Sequence, residues 1–352
     1  MKVDLYFGVD TDKIFGMNRC KLELWKGLNL DKKKIAYKPK NRILNFFDFL
    51  TYMPYITFKE RRKDAIAHIL SQSESHVLNF FKFKKSVVLA YDIIPLTLGY
   101  VSYPSLLKSK LAYRGMKKAD HIIAISQFTK DELVKHLQIP EDKITVAYIG
   151  VNHDKYKPIE HLTSTRNKYN LSKENKYLIY VGNEEPRMNL DTLLKAFKQA
   201  KEKIPNLKLI KVGGANFPKM RGKLKEEIKK LQLQDEIIFT GYVPEDDLPL
   251  LYNVADIAVY LCNYAGFGLP PAESMACGTP TIGAKASSIV EVIQDGGLML
   301  DPRDPEEISK AIVKILKEPK YSEELSKNGI RQAKKFTWEH FIQTTKEVYK
   351  KL

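Results

Sequence analysis

The residues with the clearest chemical capability lie between Tyr260 and Pro280, in the run YLCNYAGFGLPPAESMACGTP. Gly266-Phe267-Gly268 follows the apolar run at 257–261 and precedes Pro270 and Pro271. Those prolines suit the first turn of a helix, where a missing N–H costs nothing. A strand, a glycine turn and a helix N-terminus together make an anion cradle, because free backbone N–H groups and the positive end of the helix dipole face one point. The chemistry is phosphate binding, with Gly266, Phe267, Gly268 and Leu269 as the contact residues. Glu273, further along that helix, is a carboxylate able to accept hydrogen bonds from two adjacent ribose hydroxyls. Its alternative role is only to complement the helix dipole. Arg187 carries a planar guanidinium that fits phosphate, the alternative being a surface ion pair. Tyr91-Asp92 ends an apolar strand, at the edge where α/β sheets place ligands.

These side chains need rigid elements behind them, and the chain supplies strand–helix alternation twice. In the first series, strands are expected at 3–7, 86–90, 121–126 and 143–148. Helices follow Gly16, with Leu22, Leu24, Trp25 and Leu28 as its apolar positions, then run over 104–118 and onward from a Ser126 cap. Gly16, in the small-residue turn Phe15 to Arg19, is a second candidate ligand position or a simple helix cap. Residues 41–85 are rich in aromatic and basic residues, including Phe46, Phe47 and Phe80 to Lys85, and residues 152–175 are polar enough to read as a linker. The second series has strands at 177–181, 207–212, 236–240, 257–261, 279–283 and 298–300. Helices are expected at 190–203, 218–232, 245–254, 287–293 and 304–317, and a helical segment at 321–352 anchored by Trp338, Phe341 and Tyr349. Two doubly wound α/β domains follow. Residues 1–160 form the first and 170–335 the second, with helix 336–352 packing back on the first. Right-handed crossovers bring all strand ends to one side. Gly182-Asn183, Gly213-Gly214, Gly241-Tyr242-Val243 and Gly266-Phe267 therefore share one rim, which strengthens each as a ligand contact.

Composition narrows the function classes. At 352 residues, two cores can be buried. Three dispersed cysteines and histidines without a paired spacing argue against a disulfide framework and a dedicated metal site, and for a reducing compartment. No apolar run reaches the ~18–20 residues that cross a bilayer, and no leader pattern is visible at Met1, so a cytoplasmic protein is expected. The net charge of +16 is open to several explanations: nucleic acid, an anionic membrane surface, an anionic substrate, or lysines spread over solvated helix faces. Nucleic acid is the weakest of these, since no basic–aromatic module of a known type accompanies the charge and charge alone is non-specific. The basic helix at 104–118 would suit peripheral contact with anionic lipid at the inner membrane face, or a core-facing helix with a solvated lysine side.

Several stretches resemble the retaining, nucleotide-sugar-dependent glycosyltransferases of family four: YVGNEEPRMNLDTLLKAF (180–197), IIFTGYVPEDDLPLLYNVAD (237–256), GFGLPPAESMACGTPTI (266–282) and SSIVEVIQDGGLMLDPRDPEEI (287–308). ADHIIAISQFTKDEL (119–133) and KITVAYIGVN (143–152) extend the likeness into the first half. The resemblance implies the GT-B fold, two Rossmann-like domains facing across a cleft. It implies a nucleotide-diphosphate sugar held chiefly by the second domain, and a glycan or lipid-linked acceptor on the first. Transfer would retain anomeric configuration, without cofactor or obligatory metal. In that picture Arg187 holds the diphosphate, Tyr242 and Val243 meet the base, Glu273 holds the ribose, and Asp92 stands near the reacting carbon.

Five positions depart from the family pattern. Ala265 stands where a sugar-binding Glu is usual, Met188 where a Lys would follow Arg187, and Tyr91 where a His precedes Asp92; Asn18 and Ile149 replace a common Gly and Asn. Two functions are compatible with this: a sugar transferase with altered donor contacts, or a non-catalytic nucleotide- or glycan-binding relative acting as a partner subunit.

Overall fold

The computed structural model describes residues 1–9, 16–37, 48–99, 103–214 and 218–352. The chain forms two compact units, one made of Met1–Gly150 together with Trp338–Leu352 and the other of Val151–Thr337. Phe15, Phe46 and Phe47 lie outside the described residues.

The first unit is built on six parallel strands in the order β2-β1-β3-β4-β5-β6. They are β1 (Lys2–Val9), β2 (Asp31–Tyr37), β3 (Ile66–Ile69), β4 (Lys85–Ala90), β5 (His121–Ala124) and β6 (Ile144–Val146). Strand β4 reads as a continuous apolar run because both its faces are covered, and Val87, Val88, Leu89 and Ala90 are fully buried. Helix α1 (Met17–Gly27) places Cys20 and Leu24 inward, helix α2 spans Met53–Glu60, and helix α3 spans Tyr103–Met116. Helix α4 (Gln127–Leu137) starts as its sequence predicts, with the Ser126 hydroxyl accepting the Thr129 N–H at 3.0 Å.

Strands β2 and β3 fall in a stretch where none was expected. β2 is DKKKIAY, an edge strand whose lysines are tolerated because one flank meets solvent. β3 is IAHI, and its His68 is fully buried, with Nδ1 2.5 Å from the Tyr349 hydroxyl of the C-terminal helix. Burial pushes the His68 pKa down to about 3, so the imidazole is neutral in the folded unit. The unfolded chain gains a proton below about pH 6.5 while the folded one does not. Stability from this site is therefore full above about pH 6.5 and falls as pH drops from there toward 3. The expected slope is about 1.4 kcal/mol per pH unit. Urea unfolding of wild type and His68→Phe between pH 7.5 and 4.5 should show a shallower loss in the variant; parallel curves would dismiss His68 as the titrating site.

The second unit repeats the plan with the order β12-β11-β10-β7-β8-β9, again all parallel. The strands are β7 (Lys176–Val181), β8 (Leu207–Val212), β9 (Ile237–Gly241), β10 (Ile257–Tyr260), β11 (Thr281–Ala284) and β12 (Leu298–Leu300). The polar stretch at 152–175 is not a free linker. It carries helix α5 (Thr163–Lys168), buries Tyr156 and Leu171, and bonds the Tyr169 hydroxyl to Asp247 at 2.5 Å. Its polarity serves turn closure, as where Asn152 Oδ1 accepts the Asp154 N–H at 3.1 Å. Helix α6 (Leu190–Lys203) buries Leu193, Leu194, Phe197 and Ala200 along one stripe, as its periodicity predicts. Helices α7 (Pro218–Lys230), α8 (Asp247–Val254), α9 (Leu269–Ala276) and α10 (Ile289–Ile293) follow. Then come α11 (Pro305–Lys317), α12 (Pro319–Ala333) and, belonging to the first unit, α13 (Trp338–Lys351).

Candidate active site

In the second sheet the strand order reverses at the β7–β10 boundary: β8 and β9 lie on one side of β7, and β10 to β12 on the other. The carboxyl ends of strands at such a reversal leave a crevice in which α/β proteins bind ligands. The loop after β7 carries Gly182 to Asn189 and the loop after β10 carries Leu261 to Gly268, so the two motifs singled out from the sequence meet there.

Hydrogen bonds stitch the two loops together. Arg187 Nη1 donates to Tyr264 O at 2.8 Å and contacts Cys262 Sγ at 3.4 Å. Arg187 O accepts the Asn263 N–H at 2.8 Å, and Asn189 Nδ2 donates to Leu261 O at 2.7 Å. On its other side, Arg187 Nε donates to Glu185 Oε2 at 2.6 Å. Burial works against the guanidinium charge, but Cys262 and Glu185 outweigh it and hold the pKa above the ordinary arginine value. Nη2 is left without a protein acceptor among the described residues. Arg187 is thus a fixed cation with one edge available. Asn183 serves the loop itself, since its Nδ2 donates to Glu185 Oε1 at 2.6 Å and its carbonyl accepts the Tyr180 hydroxyl at 2.6 Å.

The cradle at 265–269 is held from below by two serines that the sequence reading did not single out. Ser288 Oγ lies 2.7 Å from both Ala265 O and Phe267 O, and Ser287 Oγ accepts the Ala265 N–H at 3.0 Å. Gly268 has φ +109, and an added Cβ would meet Ile289 Cδ1 at 2.6 Å, so only glycine fits where loop becomes helix. Glu273 lies on α9 and is buried at 3 % exposure, with the Tyr252 hydroxyl 3.5 Å from Oε2. Gly182 and Gly241 stand at neighbouring strand ends, with Gly182 N–H donating to Val212 O at 3.1 Å and Gly213 N–H to Gly241 O at 2.8 Å. Beside them Tyr242 is 63 % exposed and Val243 buried. Met188 and Ala265 are both buried, so neither presents charge.

A second group missed by sequence reading sits at the same strand ends. Lys211, at 2 % exposure, ion-pairs with Glu184 at 3.0 Å and donates to Gly182 O at 3.2 Å and Gly213 O at 2.9 Å. Glu184 is shared with Arg221 at 2.5 Å. Burial would raise the Glu184 pKa, but Arg221 and Lys211 outweigh it and hold the carboxyl below its usual range. The cluster clamps two glycine turns of the rim. A hollow of about 470 Å³ bordered by Lys176, Asp256 and Pro280 lies at the opposite, amino edge of the strands. It borders neither loop, so the reversal edge is the candidate site.

In the first unit, Tyr91 and Asp92 follow β4 as expected. Tyr91 is buried, its hydroxyl donates to Met17 O at 3.3 Å, and its N–H donates to Gln72 Oε1 at 3.1 Å. Asp92 Oδ1 accepts the Ile94 N–H at 3.1 Å. Gly16 caps α1 at φ +55.

Two six-stranded parallel sheets with a reversal edge in each define the GT-B class of two-domain α/β proteins. The family model for glycosyl transferases group 1 matches residues 163–332, and that for glycosyltransferase family 4 matches residues 93–155. The chain belongs to this glycosyltransferase family. It is 32% identical over 249 residues to O-antigen chain mannosyltransferase B of Escherichia coli, which covers 69% of this chain and 64% of that one. To the serotype-specific mannosyltransferase WbdA of Escherichia coli it is 31% identical over 267 residues, 72% of this chain and 32% of that one. The chain thus spans less than two thirds of the length of either relative. Its fold is that of sucrose-phosphate synthase from Thermosynechococcus elongatus, with TM-score 0.82, 18% identity and coverage of 99% and 98% of the two chains. It also matches Anabaena Alr3699/HepE in complex with UDP-glucose, with TM-score 0.81, 19% identity and 100% of each chain. Among the described residues no helix is long and apolar enough to cross a membrane.

Proposed function

We propose that this chain transfers a hexosyl group from a nucleotide-diphosphate sugar to a hydroxyl of a glycan or lipid-linked acceptor, with retention of configuration. Mannose is the first sugar to test, since the relatives just described are mannosyltransferases by name. The observation that carries the reading is the junction of Arg187 with the 262–268 loop at the sheet's reversal edge. In the transfer, the acceptor hydroxyl oxygen bonds to the anomeric carbon as the sugar–phosphate bond breaks, the hydroxyl proton passes to an oxygen of the departing phosphate, and the nucleoside diphosphate leaves. Charge then grows on the departing phosphate. A preorganised guanidinium and the N–H groups of Gly266 to Leu269 are suited to meet it. The strand ends at Gly182-Asn183 and Tyr242-Val243 would bear on the nucleoside and Glu273 on its ribose. Asp92 would act near the reacting carbon, and Gly16 would be a further donor contact. Peripheral contact with anionic lipid through the lysines of α3 belongs to the same proposal, with the cytoplasmic face of a membrane as the place of action.

The buried Met188 and Ala265 favour a second reading, a relative that binds nucleotide or glycan without turnover. Calorimetric titration of UDP-, GDP- and ADP-sugars, followed by a transfer assay on glycan and lipid-linked acceptors, separates them. Binding with transfer is the expected result; binding without transfer or donor hydrolysis supports the second reading, and no binding by any donor defeats the first.

A further inference from the structure

Lys211 is a buried cation that the proposed transfer does not use. An ammonium has three N–H bonds to give, and here three protein oxygens take them: Gly182 O, Gly213 O and Glu184 Oε1. Nothing is held in reserve for a ligand. Glu184 is as deeply buried, and Arg221 completes its shell, with Nε 2.8 Å from Oε1 and 2.9 Å from Oε2. Such a pair is a poor route to stability, since apolar residues of similar volume often serve as well. What it adds is direction, because the acceptors around the one nitrogen come from the loop after β7 and the turn after β8. The two approach closely: an added Cβ at Gly213, where φ is +112, would lie 2.5 Å from Gly182 O.

The loop fixed in this way also carries Arg187, and the stretch between Glu184 and Arg187 is stiff. Glu185 takes Asn183 Nδ2 on Oε1 and Arg187 Nε on Oε2, each at 2.6 Å. Pro186 locks φ between them, and the Met188 N–H closes a turn onto Glu185 O at 2.9 Å. A shift of Glu184 is therefore passed on to the guanidinium instead of being absorbed. We propose that Lys211 is a positioning residue for Arg187, fixing Gly182, Gly213 and Glu184 together and so setting the loop that aims the guanidinium. That the guanidinium is aimed at a departing phosphate rests on the transferase reading above; the fixing of the loop does not.

A double-mutant cycle on the full chain tests it. Displacing a reacting group by about 1 Å can cost ~10²-fold in rate. Lys211→Met should thus lower kcat about ten- to a hundredfold, with donor KM moving less than about threefold. In the Arg187→Met background the same substitution should cost less than about twofold, since no guanidinium is left to aim. A merely structural residue would reduce both backgrounds by one factor, so equal losses, or an unchanged kcat in Lys211→Met alone, overturn the proposal. Glu184→Gln, which keeps the side chain's shape, takes the place of Lys211→Met in the cycle should that variant fail to fold. Hydrogen exchange without substrate reads the loop directly. Residues 182–189 should exchange faster in the variant while α11 stays unchanged; no change at 182–189, or acceleration throughout the unit, overturns the proposal even in an active enzyme. Local acceleration in a chain whose wild type transfers no sugar keeps the fixing of the loop and defeats the transferase reading.

Discussion

Arg187→Met should lower turnover about 10²–10³-fold, the usual loss when a preorganised group is removed from a developing anion. The donor KM should move less, because the guanidinium is most useful once the sugar–phosphate bond has begun to break. A fall confined to KM would make Arg187 a ground-state contact, and an unchanged rate would reduce it to a tie between loops. That last outcome is a serious competitor, since Nη1 already holds Tyr264 O and Nε holds Glu185. Arg187→Lys distinguishes them further: it keeps the charge but cannot bond both loops, so a charge role predicts that Lys retains part of the rate lost in Met, whereas a loop tie predicts that the two variants behave alike. Glu273→Ala bears on binding instead. If Glu273 reads the ribose, nucleotide affinity collapses while the free protein stays folded, whereas unchanged affinity would mean that Glu273 only completes the buried packing around Tyr252.

The second large effect is on stability. Glu184→Leu leaves the Lys211 ammonium at 2 % exposure without its carboxylate partner. Removing one member of a buried pair commonly costs about 3–5 kcal/mol, because a charge remains desolvated and uncompensated. Burial already lowers the Lys211 pKa despite Glu184, a sign of how poorly the site tolerates the cation alone. Urea unfolding should show that loss in Glu184→Leu and recover most of it in Glu184→Leu with Lys211→Leu, where no lone charge is left. Arg221 can turn to water, being 21% exposed at its side chain. A loss under about 1 kcal/mol in the single variant would place the cluster with ordinary surface pairs.

How far the molecule could be read from its sequence differed by region, for physical reasons. Residues 257–282 were legible because glycine and proline mark local backbone geometry directly: Gly268 stands where no other residue fits, and Pro270 opens the helix. The same holds for Ser126, whose cap is a contact three residues long. Strands β2 and β3 were hidden. Lys32, Lys33 and Lys34 on an edge strand look like a solvated loop, and His68 in a buried strand breaks the apolar run that signals one. The Lys211–Glu184–Arg221 cluster was equally silent, since its members are brought together only by the pairing of β7 with β8 and the return of α7.

The assignment of Trp338–Leu352 to the first unit, with Val151–Thr337 forming the other, has a consequence for biogenesis. During synthesis the second-made unit is the first to have all of its own residues outside the ribosome. The first-made unit must wait, with the face around His68 unsealed, until residues 338–352 emerge and Tyr349 can reach it. Domains generally fold as units as they emerge, so here the order of completion is inverted relative to the order of translation. A chain stopped at Thr337 would therefore carry a finished second sheet beside an open first one, and a chaperone that shields apolar faces would find its target at the amino-terminal half.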